Sequence, residues 1–321
     1  MVYPNEFCIG FCYWMLNTSW QVLTPPRLAL ITTVYNAAVA GSSVTSLEYN
    51  NFTQTTYWRL PFYEAYLRSI EGFSAPPLST YSYLFDPSQL RSNYNGDFGF
   101  TSALNLCFQL KDVGGSIIDA TQSTDTKRPF VSGFSTLSLP VNQLSWRTAL
   151  ATSLTVNNAA SLTNAISQFT VYLVARNNST AIQQILFYIS TGSSSASTRF
   201  DIRITAANLW QLNIRPLDAG APASLLGGAS NTQTKIITAV MDLTADTAIL
   251  YENGSQVAIN TALGLGLVTS PTDSLLSSIG SSGTTNYFQG QSGSIATYVA
   301  AHTPSEVSAM VAWLNQIYHC F

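Results

Sequence analysis

Charged residues are scarce in this chain: Asp, Glu, Lys and Arg together make up 9% of its 321 residues, against about 25% in an average soluble protein. The net charge is −3, and no basic stripe is present, which argues against a nucleic-acid-binding surface. Since 46% of the residues are hydrophobic, the chain can bury a large core. A polar but uncharged surface is typical of extracellular and virion β proteins.

Cysteine and histidine are also rare, with four and two residues respectively. The first two cysteines have C-x3-C spacing without a nearby His, which is not a zinc signature. The two histidines, His302 and His319, stand at either end of a C-terminal helical segment, and no G-x-S-x-G motif is present, so no nucleophilic triad is expected. We expect buried or free thiols at Cys8, Cys12, Cys107 and Cys320.

No apolar run is long enough to span a bilayer. The longest apolar-leaning stretch, LALITTVYNAAVAG from Leu28, is too short and too polar for that. The opening MVYPNEFCIGFCYWMLNTSW has no Lys or Arg before its apolar part, so it does not resemble a secretory signal. We therefore expect no membrane insertion, and release by host lysis as part of an assembled particle.

The chain divides into two regions of different texture. Residues 1–75 are irregular and rich in aromatic residues, and LPFYEAYLRSIEG (60–72) predicts one helix with Pro61 in its first turn. SAPPLS (74–79) indicates an extended connector, because proline removes a backbone donor and restricts the residue before it. Residues 76–321 are predicted to form the second domain.

From about residue 166, short segments of predicted strand alternate with turn residues, as in an antiparallel sandwich or jelly roll. RFDIRIT (199–205) alternates apolar and charged residues. Its charged face, which consists of Arg199, Asp201 and Arg203, is expected to meet water or a partner. The other predicted strands are 168–176, 182–190, 209–215, 235–242, 248–253, 256–259, 275–280, 287–290 and 293–301.

Two local patterns predict a hairpin and a terminal helix. In ILYENGSQVA, Asn253 and Gly254 predict a two-residue primed turn between strands. The last helix is predicted to begin with Thr303 as N-cap, Pro304 in the first position and Glu306 completing a capping box. The helix is expected to pack on the outside of the sandwich through one apolar face, formed by Val307, Met310, Val311, Leu314, Ile317 and Tyr318.

The segments ITAVMDLTADTAILYENGSQVA and SIGSSGTTNYFQGQSGSIATYVAAHTPSEVSAMVAWLNQIY resemble a concanavalin A-like, laminin-G-type jelly roll found in bacteriophage structural proteins. YSYLFDPSQLRSNYNG (81–96) and DATQSTDTKRPFV (119–131) resemble the lead-in of the same domains. The Arg-rich segment and the Trp-Tyr-Asp motif usual in that lead-in are missing, so the part of the pattern closest to glycosidases is not carried over. The resemblance covers roughly residues 80–321.

The predicted fold class is mainly β. We expect an antiparallel β-sandwich (concanavalin A-like jelly roll) with a C-terminal amphipathic helix. An irregular, partly helical N-terminal arm precedes it.

Carboxylates could serve catalysis or metal binding. A glycoside hydrolase needs two carboxyl groups about 5–10 Å apart across a cleft. We expect no pair among Asp201, Asp242, Asp246 and Glu252 to act in this way, because Asp is favoured at turns for structural reasons alone. A calcium site formed by Asp242, Asp246 and Asn253 is the one cofactor hypothesis, since calcium binds carboxylate and amide oxygens.

Sugar binding is the function that the residue types favour. Aromatic faces stack on sugar C–H surfaces, and amides bind hydroxyl groups. The candidates at strand ends or loops are Trp210, Tyr251, Asn286, Tyr287 and Gln289. For the first two, packing in the core or on a sheet face is the alternative.

These features and the resemblance predict a non-enzymatic bacteriophage virion protein: a tail, fibre or capsid-decoration component. It would be assembled in the host cytoplasm and exposed on the released particle. Its expected partners are other virion proteins through residues 1–75, further copies of itself in a homo-oligomer, and a host-surface glycan. The alternatives are an autonomous carbohydrate-binding lectin and a glycoside hydrolase.

Overall fold

The computed structural model describes residues 12, 16, 25–41, 77–78, 83–85, 100–101, 106–107, 109–111, 119–133, 142–156, 164–179, 182–190, 198–217, 220–269, 276–282, 285–318 and 320–321. The chain separates into two compact units: residues 1–74 with 134–140, and residues 75–133 with 141–321. Within the described ranges, no helix is long and apolar enough to cross a membrane.

The first unit contains helix α1 (Pro25–Val39). Two prolines open it, where their missing N–H groups leave no hydrogen bond unmade, and Ile31, Val34 and Ala38 are buried. The sequence patterns did not predict this helix. The helix predicted at 60–72 lies outside the described residues.

The second unit contains two antiparallel sheets, whose strands are numbered along the chain. The described strands of the first sheet are, in spatial order, β16 (Ser255–Asn260), β15 (Thr247–Glu252), β14 (Lys235–Asp242), β9 (Gln168–Asn177), β18 (Gly290–Tyr298), β7 (Asn142–Trp146), β6 (Phe130–Gly133), β3 (Leu106–Cys107) and β2 (Phe100–Thr101). A further strand, β1 (Tyr83–Phe85), pairs with β18.

The second sheet has the order β13 (Ala223–Ala229), β12 (Leu209–Ile214), β11 (Thr198–Ile204), β10 (Gln184–Ser190), β17 (Leu276–Ile279), β8 (Leu154–Val156), β5 (Asp119–Thr121) and β4 (Gln109–Lys111). Two short 3-10 helices, Asp125–Lys127 and Thr148–Leu150, also occur. The inner faces meet in an apolar core, where the Phe169 ring of β9 contacts the Phe200 ring of β11 with centroids 5.0 Å apart. The predicted antiparallel β-sandwich is confirmed.

Helix α2 (Pro304–Tyr318) follows the last strand and packs against the first sheet. Its capping box is present: the Thr303 backbone N–H donates to Glu306 at 2.7 Å, and the Glu306 N–H donates to the Thr303 hydroxyl at 3.4 Å. All six residues of the predicted apolar face are buried, together with Trp313. The predicted C-terminal helix is therefore confirmed.

A buried histidine anchors the start of α2. His302 Nδ1 lies 2.7 Å from the Tyr172 hydroxyl of β9, and the His302 ring contacts Tyr298 of β18 with centroids 4.3 Å apart. Burial lowers the pKa of His302 and raises that of Tyr172. The neutral imidazole is therefore the form that fits this position.

The β15–β16 hairpin has the predicted primed turn. Both turn residues have positive φ, 51° at Asn253 and 81° at Gly254, as a two-residue primed turn requires. The Asn253 side chain also accepts a hydrogen bond from the Ile236 backbone N–H of β14 at 2.9 Å. The turn is thus tied to a third strand, which the sequence pattern did not predict.

The sequence patterns did not predict strand β13, and they predicted a strand at 287–290 that is not formed. β13 lacks alternation because Gly227 and Gly228 let β15 approach closely: a Cβ on Gly227 would lie 2.8 Å from the Leu250 side chain. At 287–290, Tyr287 forms only an isolated bridge to Ile185, and β18 begins at the last residue of the segment. This segment is therefore mostly loop.

Candidate functional site

Two of the predicted sugar-binding residues are buried. Trp210 is 1% exposed and Tyr251 is 4% exposed, so neither ring can stack on a sugar, and their assignment as glycan contacts is wrong. Trp210 of β12 is paired with Ile204 of β11, and both side chains lie in the core. The alternation of a strand defines two faces, but does not tell which of them another element covers.

The other three predicted residues lie together in the loop between β17 and β18. Asn286 and Tyr287 are half-buried, and Gln289 is exposed. The loop is fixed through its backbone: Asn286 O accepts from the Ile185 N–H at 2.8 Å, and the Gln289 N–H donates to the Gln184 side chain at 2.7 Å. A glycan contact by this trio stays a prediction.

The three candidate calcium ligands do not form a site. Asp242 and Asp246 flank the β14–β15 turn, where their carboxylates accept hydrogen bonds from the Ala245 and Gly264 N–H groups at 2.9 and 3.0 Å. Asn253 lies at the far end of β15, roughly 20 Å away at about 3.4 Å per residue. The calcium hypothesis is therefore wrong for this trio. In the described part of the chain, no three His, Cys, Asp or Glu side chains could hold a metal ion.

The remaining carboxylates have partners of their own. Glu252 accepts hydrogen bonds from the Lys235 ammonium and the Gly228 N–H, each at 2.6 Å. Asp201 is fully buried and paired with Arg203. Glu252 and Asp242 end neighbouring strands at opposite ends of the sandwich. The absence of a catalytic pair stays a prediction.

The outer face of β10, β11 and β12 carries a compact set of polar side chains. Their pairing places Asp201 beside Tyr188 on one side and Asn213 on the other. In the adjacent row, Arg203 is paired with Gln211. The apolar residues that alternate with them face the core. We call Asp201, Arg203, Gln211 and Asn213 the polar face.

Asp201 is the centre of this polar face. The Arg203 Nε and Nη2 groups donate to its two oxygens, both at 2.5 Å, and Asn213 Nδ2 donates to Oδ1 at 3.1 Å. Burial raises the pKa of Asp201, while the bonds from Arg203 and Asn213 oppose the shift because they favour the ionised form. The buried carboxylate therefore holds both neighbouring side chains in place.

Several groups of the polar face have no protein partner among the described residues. Arg203 bonds only to Asp201, so Nη1 and the outer N–H of Nη2 are open, and 20% of its side chain is exposed. Asn213 donates only to Asp201, which leaves its carbonyl oxygen open, and the half-buried Gln211 makes no side-chain hydrogen bond. Among the described residues, the polar face thus has donors and acceptors without a protein partner, and Asp201 holds those of Arg203 and Asn213 in place.

Sequence reasoning assigned a charged outer face to 199–205 but did not identify a site there. A usable signal was the concentration of charge: Arg199, Arg203 and Arg215 are three of only 13 Lys and Arg residues in the chain. Arg199 is 1% exposed and Asp201 is fully buried, so of the predicted charged face only Arg203 reaches water. The pairing with Asn213 and Gln211 depends on a strand register that no local pattern specifies.

Comparisons with known proteins show the fold. No protein-family model and no curated protein sequence matches the chain. Among solved structures, the receptor binding domain of the botulinum neurotoxin C/D mosaic serotype matches with a TM-score of 0.50 and 10% identity, covering 74% of this chain and 51% of that one. The two share a β-sandwich fold.

Two further structures are similar over smaller parts. The binding domain of Paraclostridial Mosquitocidal Protein 1 matches with a TM-score of 0.49 and 14% identity, over 64% of this chain and 52% of that one. The Ruminococcus gnavus IT-sialidase CBM40 bound to α2,6 sialyllactose matches with a TM-score of 0.40 and 19% identity, over 46% of this chain and 84% of that one. The chain spans about half the length of the two toxin domains.

Proposed function

We propose that the second unit is a glycan-binding, lectin-like module without catalytic activity. The observation that carries this proposal is the polar face, where Arg203, Asn213 and Gln211 present open hydrogen-bonding groups on paired strands. A sugar exchanges its bonds to water for bonds to such groups. Asp201 already orders two of these side chains, so binding costs little of their rotamer entropy.

An apolar surface adjoins the open groups. Leu226 of β13 is paired with Gln211 and is 51% exposed. A sugar ring has an apolar C–H side as well as hydroxyl groups, so a ligand on the polar face could cover this leucine. The β-sandwich fold shared with a receptor binding domain agrees with a binding role, but the residues of the polar face support the choice of a glycan.

A glycan array probed with the full chain tests this proposal. The wild-type chain should bind a subset of glycans, and Gln211→Ala should weaken that binding. Gln256→Ala is the matched control, because Gln256 is an exposed glutamine on β16 of the other sheet. Absence of binding to any glycan by the folded chain, or equal effects of the two substitutions, would contradict the proposal.

The sequence resemblance supports a second proposal, that the module is displayed on a bacteriophage virion. Residues 1–75 would then bind other virion proteins, and the chain would form a homo-oligomer. An antibody against the sandwich should label intact particles from lysed host cells in negative-stain images. Recovery of the chain only in the soluble fraction, separate from particles, would contradict a virion location.

A further inference from the structure

The guanidinium group of Arg203 presents one edge to Asp201 and another to the outside. Its Nε and Nη2 atoms donate to the two oxygens of Asp201. The edge formed by Nε and Nη2, the side-on edge, is therefore occupied. The opposite, end-on edge carries one N–H from each Nη atom, and these N–H groups are parallel and coplanar. A ligand must therefore offer two neighbouring acceptor atoms to use both donors.

The charge of Arg203 is already balanced. Asp201 is fully buried and forms the ion pair with Arg203 at 2.5 Å. A carboxylate or sulfate bound at the end-on edge would share one guanidinium with Asp201, and the two anions would repel each other at short range. Neutral oxygens do not incur this repulsion.

The other arginines of this region do not alter that argument. Arg199 is 1% exposed, so its guanidinium group does not reach an external ligand. Arg215 is half-buried and has contacts of its own. The guanidinium group that an external ligand contacts at the polar face is therefore that of Arg203, whose charge is paired with Asp201.

The acceptors on the polar face complement these donors. Asp201 already accepts bonds from Arg203 and Asn213, so it is poorly placed to accept from a ligand. The open carbonyl oxygen of Asn213 and the open amide of Gln211 can accept hydroxyl protons instead. Two adjacent sugar hydroxyls would accept through their oxygens from Arg203 and donate their protons to these amides.

We infer that Arg203 binds the two oxygens of a vicinal diol, and that its pairing with Asp201 makes the site select uncharged sugars over anionic groups. This inference rests on the proposed glycan-binding function. It adds the chemical class of the ligand and names the residue that binds it.

The test is competition against a glycan bound on the array, using the full chain and defined small probes. Methyl α-mannopyranoside, methyl α-glucopyranoside or methyl α-galactopyranoside should compete, and the fully O-methylated form of the best competitor should not. Sodium acetate and sodium sulfate should not compete. The affinity should be the same at low and high NaCl concentration, because an uncharged ligand makes no charge–charge interaction that salt could screen.

Substitutions at the pair sharpen the test. Arg203→Lys keeps the positive charge but loses the two-donor edge, so it should weaken neutral-sugar binding at least about tenfold. Arg147→Lys, at an exposed arginine of the sandwich, is the matched control and should change nothing. Asp201→Asn removes the counter-charge, so acetate should then become a competitor.

The outcomes separate the two proposals. If no glycan binds, the proposed function itself fails. If glycans bind but acetate, sulfate or acidic glycans compete better than the neutral glycosides, or Arg203→Lys matches the wild type, the inference fails while the proposed function stands. If Asp201→Asn does not fold, Arg203→Lys and the salt dependence decide the matter.

Discussion

Replacement of Asn253 separates two roles of the β15–β16 turn. Asn253→Gly keeps the positive φ that the turn needs but removes the acceptor for the Ile236 N–H. Ile236 is 0% exposed, and an unsatisfied buried donor costs about 1–3 kcal/mol. Asn253→Asp keeps an oxygen in the same place, so we expect it to be nearly neutral. The sequence pattern alone predicts that both changes are nearly neutral.

Thermal and urea unfolding followed by circular dichroism measures this difference. A loss of about 2 kcal/mol corresponds to a decrease in Tm of roughly 4–8 °C for a domain of this size. Gly254→Val should be destabilising for a separate reason, because φ is +81° there and the added side chain would lie against Val311. Equal stability of Asn253→Gly and Asn253→Asp would refute the reasoning from the Ile236 bond.

Three further predictions concern α2 and the carboxylates. Leu314→Ala should lower the free energy of unfolding by about 2–5 kcal/mol, because Leu314 is fully buried. Thr303→Ala should lower it by about 1 kcal/mol through the lost cap. Urea melts measure both losses, and unchanged stability would contradict the packing of α2. Burial lowers the pKa of His302, so the unfolded chain binds this proton more readily and the free energy of unfolding should decrease as the pH falls below about 6.5. His302→Gln should remove that part of the pH dependence in melts between pH 5 and 8, and an unchanged profile would contradict it. The purified chain should release no sugar from bacterial polysaccharides, and turnover lost in Asp242→Asn would overturn the non-enzymatic proposal.

The parts of the fold that sequence predicted well are those set by near neighbours. Asn253 and Gly254 define their turn by their own conformations, and the capping box of α2 joins residues three apart. The position of Asp201 and Arg203 on the face opposite the core also follows from the two-residue repeat of side-chain direction in a β-strand. Each of these features depends on local geometry alone.

The parts that were missed depend on contacts between distant segments. Trp210 and Tyr251 have the residue types of a sugar site, but the packing of other elements buries them. The candidate calcium ligands Asp246 and Asn253 do not come together because they lie at opposite ends of β15, although they are close in sequence. Asn213 reaches Asp201 only through the register of β11 and β12.

The most direct test of the central claim is nuclear magnetic resonance of the isotope-labelled chain during titration with the best-competing neutral methyl glycoside. The side-chain resonances of Arg203 Nε, Asn213 Nδ2 and Gln211 Nε2 report on the polar face itself. The proposal predicts saturable shifts of these three signals and little change at the loop of Asn286 and Gln289. Shifts confined to that loop, or no shifts while the array still shows binding, would contradict it.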